Sequence, residues 1–87
     1  RLMPGHPDPR VNLGLALERG GKYGDALEAY ASAMEVYPGH LPSVKAFARL
    51  QVRAGLRDDW TNELLSEIVN RGDTEWQEWA RMQLFVD

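Results

Sequence analysis

Apolar side chains in this chain recur at intervals of three and four, the spacing of one face of an α-helix. The clearest run is Ala26, Leu27, Tyr30, Ala33, Met34 and Tyr37. Proline and glycine break the pattern into five segments, each a helix by this reading. The spacing predicts helices over about Pro9–Arg19 and Asp25–Tyr37, then from Pro42 to Gly55, over Asp58–Asn70, and from Thr74 to near the C-terminus. Asp8 is placed to cap the first, with Pro9 in a first-turn slot where a missing N–H costs nothing. Gly20-Gly21, Pro38-Gly39, Gly55 and Gly72 supply the stops, and Asp73 caps the last helix. Every connection is a few residues long, so consecutive helices are expected to pack antiparallel. No stretch alternates as a strand does, and the fold class is all-α.

The segments repeat. Pro4-Gly5-His6 recurs as Pro38-Gly39-His40, 34 residues later, and a helical apolar pattern follows each break. After the second break Val44, Phe47, Ala48 and Gln51 stand where Arg10, Leu13, Gly14 and Leu17 stood after the first. A third start follows Asp73, with Trp76, Trp79, Ala80 and Gln83 at the same spacing.

Asn12-Leu13-Gly14, then Tyr23, Ala26, Tyr30, Ala33 and Pro38, resembles the tetratricopeptide repeat, a 34-residue pair of helices. The residues give the pattern physical sense. Gly14 and Ala26 are small where the two helices of one repeat cross, and Tyr30 fills the space beside the crossing. Ala33 lets the next repeat's first helix sit close, and Pro38 cannot continue a helix. The strong match is residues 7–40. Residues 41–72 form a degenerate repeat, with Trp60 in the place of Ala26 and Glu67 in that of Ala33, so its helices are expected to splay or shift. Residues 73–87 supply the first helix of a further repeat or a cap, and residues 1–6 read as the tail of a preceding one. The resemblance thus implies one domain over 1–87, antiparallel pairs stacked in a right-handed superhelix and cut from a longer array.

Composition narrows the function. Eighty-seven residues bury only roughly 60–65% of the surface their unfolded chain exposes, so the stability margin is thin. Ten basic and thirteen acidic residues give a net charge of −3, too mild for a nucleic-acid binder. No apolar run reaches the roughly 18 residues of a membrane span, and the first residues lack the apolar stretch of a signal peptide. The absence of cysteine excludes a disulfide framework and suits a reducing compartment such as the cytoplasm.

Catalytic and metal-binding arrangements find little support. His6 and His40 are the only imidazoles, and equivalent positions in adjacent repeats lie roughly 10 Å apart, too far to share an ion. They read as loop residues fixing a turn. Gly20-Gly21 follows no strand and precedes no Lys-Ser or Lys-Thr, so it is a helix stop rather than a phosphate loop. The acidic pairs Asp58-Asp59 and Asp73/Glu75 stand at helix starts, where carboxylates offset the macrodipole. Trp60 shares a face with Leu64 and Ile68, and Trp76 and Trp79 share one with Ala80 and Gln83. Both stripes are expected in the core. The reading is of a chain that is not an enzyme and needs no cofactor and no metal.

What the resemblance implies instead is protein or peptide binding, through a groove lined by the first helix of each repeat. That face carries Val11, Leu15 and Glu18, then Lys45, Arg49, Val52 and Arg53, then Gln77 and Arg81. Lys45, Arg49 and Arg53 stand four apart in a basic stripe with no acidic partner at that spacing. The partner expected is an extended or helical segment that is acidic, or ends in a carboxylate, beside an apolar patch at Val11 and Leu15. The Lys/Asn clamp by which such domains grip chaperone C-termini is missing, since the matching positions hold Val11, Leu15, Ala46, Thr74 and Glu78. The alternative is a spacer or dimerisation segment of a larger protein, with Trp76, Phe85 and Val86 at the contact.

Overall fold

The computed structural model describes residues 7–85. It has five α-helices: α1 (Pro7–Arg19), α2 (Tyr23–Val36), α3 (Leu41–Arg53), α4 (Asp59–Arg71) and α5 (Thr74–Phe85). There is no strand among the described residues. Residues 1–6 and 86–87, with the expectations placed on His6 and Val86 and on the tail of a preceding repeat, lie outside that range.

Each helix packs on the next in sequence, and α1 also meets α3. The Cα radius of gyration, 12.6 Å, is close to the roughly 12 Å of a globular domain of this length. One core runs through the packed helices, with Tyr30, Val44, Leu50, Leu65 and Ile68 fully buried. Each such aliphatic side chain contributes about 1.5–3 kcal/mol by leaving water.

The crossing of α1 and α2 works as its residues suggest. Ala26 and Ala33 are fully buried on α2. A Cβ at Gly14 would lie 2.6 Å from Tyr30 Cδ1 and 2.9 Å from Cζ, inside van der Waals contact. Hydrogen is the only side chain that fits there.

α1 and α3 have the same length and start 34 residues apart, and they end in the same way. Gly21 and Gly55, at φ of 80° and 73°, take the left-handed conformation that a side chain disfavours. After α1, the Gly21 N–H donates to Glu18 O and the Lys22 N–H to Leu17 O. After α3, the Gly55 N–H donates to Val52 O and the Leu56 N–H to Gln51 O. Both are Schellman closures, which satisfy carbonyls that the helix end would leave free.

Local chemistry moves several boundaries. α1 begins at Pro7, so Asp8 lies inside its first turn instead of capping it. α2 begins at Tyr23 and ends at Val36. Tyr37 leaves the helical region, at φ −144° and ψ 86°, because Pro38 follows it. At α4, Asp58 accepts the Thr61 N–H while Thr61 Oγ1 accepts the Asp58 N–H, a reciprocal capping box. Asp73 Oδ1 accepts the Trp76 N–H at the start of α5, the cap expected of it.

His40 fixes its turn through neighbours on two helices. Nδ1 hydrogen-bonds with Ser43 Oγ, and Nε2 lies 3.1 Å from Asp8 Oδ1. Arg71 Nη2 donates to Gly39 O of the same turn at 2.8 Å.

One expectation about the core is overturned. Trp60 is 45% exposed, although Leu64 and Ile68 of its face are buried. An indole is too large for the place that Ala26 takes between α1 and α2. Trp60 instead lies against the Phe47 ring, with centroids 4.7 Å apart, at the outer edge of the α3–α4 contact.

Candidate functional site

Glu18 stands in the last turn of α1, on the stripe of Val11 and Leu15, and only 9% of it reaches solvent. A carboxylate is disfavoured there by burial and by the negative end of the helix dipole, so it needs cations. α3 provides them. Arg49 Nη1 donates to Glu18 Oε2 at 2.8 Å and Nη2 to Oε1 at 2.7 Å, a two-pronged ion pair. Arg53 Nη1 adds a looser contact, 3.5 Å from Oε2. From α2, Tyr30 Oη donates to Oε1 at 2.8 Å. Three helices therefore meet on one carboxylate.

The ionisation of each group follows from this geometry. The hydrogen bonds from Arg49 hold the Glu18 carboxyl below its ordinary value against the opposing effect of burial, and the Tyr30 hydroxyl helps them. Burial, then the hydrogen bond to Glu18, pushes the Tyr30 phenol up to about 12. The hydrogen bonds to Glu18 raise Arg49 above the ordinary guanidinium value.

α3 and α5 both pack on α4, but their backbones stay apart. A cleft of about 260 Å³ opens between them, lined by Arg49, Glu75, Trp76 and Trp79. The two indoles stand edge to face, with centroids 5.3 Å apart and planes at 77°. Lys45 Nζ sits 5.2 Å from the Trp76 ring centroid, a cation–π contact worth about 0.5–1 kcal/mol at a surface. One wall is thus charged and held rigid by Glu18, and the other is aromatic.

The basic stripe is not free along its length. Its acidic partner comes from α1, where a search within α3 does not look, and Arg49 is committed to it on both terminal nitrogens. Arg53 is 65% exposed, and Arg81 is exposed on α5. Val11 and Leu15 are half-buried against the core, which reduces the apolar patch expected from them. Trp76 and Trp79 also pack against the core while bordering the cleft, so they are wall and core at once. Phe85 is 78% exposed at the end of α5. The cluster on Glu18 had a signal in the sequence. An acidic residue three after Leu15 and seven after Val11 continues an apolar stripe, and such a residue requires a cation from elsewhere in the fold.

No family model, curated protein or solved structure matches this chain. No helix of the described residues is long and apolar enough to cross a membrane.

Proposed function

We propose that the chain is a tetratricopeptide-like repeat unit, its helix pairs stacked in a right-handed superhelix, that binds a protein or peptide on the face formed by α1, α3 and α5. The recurrence of α1 in α3, with matching length, glycine closure and 34-residue offset, supports the repeat reading. The observation that carries the binding reading is the cleft between α3 and α5, lined by the Arg49 guanidinium, Glu75 and two indoles. Nothing in the reading calls for catalysis, a cofactor, nucleic acid or a membrane.

Reversing charge at Arg53 and Arg81 tests the face without touching Arg49, whose loss would strand Glu18. The double variant Arg53→Glu, Arg81→Glu is expected to keep its helical circular dichroism and to lose partners that the unaltered chain captures. Undiminished capture by a folded double variant would show that binding uses another face.

A second reading, contact between copies through α5, has the exposure of Met82 and Phe85 in its favour. Phe85→Ser would then convert a sedimenting dimer to a monomer. A monomer at every concentration removes this reading.

A further inference from the structure

The cleft between α3 and α5 is small. Sites for drug-sized ligands run from roughly 300 to 1,000 Å³, and a cleft of about 260 Å³ is the size for a single large side chain. Its aromatic wall is a corner of two indoles set edge to face on one another. An apolar side chain, above all a ring, fills such a corner with favourable offset or edge contacts.

Charge decides what surrounds that side chain. Glu18 supplies one negative charge against the two positive charges of Arg49 and Arg53, leaving one positive charge in excess at the cluster. Lys45, on the same helix and over the Trp76 ring, adds another, and Glu75 on the opposite wall cancels only one of the two. A cationic occupant is disfavoured, because Lys45 already covers the Trp76 ring and Arg49 lines the cleft. Arg49 offers no fork to an incoming carboxylate, since both of its terminal nitrogens hold Glu18. Arg53 does, being mostly exposed and attached to Glu18 by one loose contact. It lies one turn beyond Arg49 on α3.

We infer that the cleft receives one large apolar side chain of a partner peptide whose neighbouring residues are acidic, with the ring against Trp76 and Trp79 and a carboxylate on Arg53. The inference rests on the binding reading above and gives it a specific pocket and a specific partner chemistry.

The test is a titration of the full chain followed by NMR of the tryptophan indole N–H signals, with Trp60 as an internal control on another surface. Three probes are compared: acetyl-Phe-Asp-Glu-Asp-amide, acetyl-Ala-Asp-Glu-Asp-amide and acetyl-Phe-Lys-Lys-Lys-amide. The first should move the Trp76 and Trp79 signals saturably and leave Trp60 in place. The other two should bind at least about tenfold more weakly, and Arg53→Gln should weaken the first about fivefold. Equal binding of the alanine probe overturns the apolar pocket, and equal or tighter binding of the lysine probe overturns the acidic preference. Unmoved Trp76 and Trp79 signals at the solubility limit of the first probe overturn the inference as a whole. If partner capture still depends on Arg53 and Arg81 in that case, the binding face stands and only the pocket falls. If the probe binds as expected while capture ignores those arginines, the pocket stands and the wider face falls.

Discussion

Among the glycines of the described residues, Gly14 has the nearest neighbour, the Tyr30 ring. A methyl group at position 14 must displace the phenol ring, whose hydroxyl is held by Glu18. Gly14→Ala would raise helix propensity at an exposed site, but here overpacking prevails. It should destabilise the chain by about 1–3 kcal/mol in urea unfolding. A neutral or stabilising result would contradict the close crossing of α1 and α2. Glu18 gives a second prediction, in pH. Its folded pKa lies below the ordinary value of 4.5, so its contribution is present above that value and is lost as acid protonates the carboxylate in the folded state. Tyr30 works at the other end of the scale. Its raised pKa means that stability holds up to about pH 10 and falls as the pH approaches about 12, because the unfolded phenol ionises first. Thermal unfolding across pH should show both losses. Glu18→Gln should flatten the acid limb, and an unaltered limb would show that other carboxylates produce it.

Among the elements, the helix ends show what short-range chemistry decides. Gly21 after α1 and Gly55 after α3 sit at positive φ, where a Cβ costs about 1–2 kcal/mol in a left-handed turn. There is open space around Gly55, so only backbone strain opposes Gly55→Ala. The variant should lose about 1 kcal/mol or slightly more, read as a lower urea midpoint with an unchanged slope. A loss much larger than that would mean that the loop carries packing the structure does not have. At α4 the Asp58 carboxyl is held below its ordinary value, chiefly by the Thr61 N–H. Asp58→Ala should therefore speed amide exchange in the first turn of α4 and leave α1 unaffected. The glycine stops were legible in the sequence because each depends on residues within one turn, whereas Asp58 reads there as a carboxylate at a helix start without its bond to Thr61. The shifted ends of α1 and α2 follow from the same local rules, applied to Pro7 and to the Tyr37–Pro38 step.

At the scale of the whole molecule, what stayed illegible is what depends on the distance between helices. Five helices could be read from spacing, and the Gly14–Tyr30 crossing was implied by the tetratricopeptide resemblance. The salt bridge from Glu18 to Arg49 spans 31 positions and joins α1 to α3, so no i,i+4 rule reveals it. The gap between α3 and α5 is likewise a matter of packing. That gap is what turns Trp76 and Trp79 from interior residues into a wall. On the proposed function, partners meet the chain on the α1, α3 and α5 side. A photo-crosslinking residue in place of Glu78, exposed on α5, tests it against the same residue in place of Glu28, exposed on α2. A distinct adduct from position 78, absent from position 28 and competed by the acidic phenylalanine peptide, is the predicted result. Adducts from position 28 alone, or equally from both, would contradict the claim.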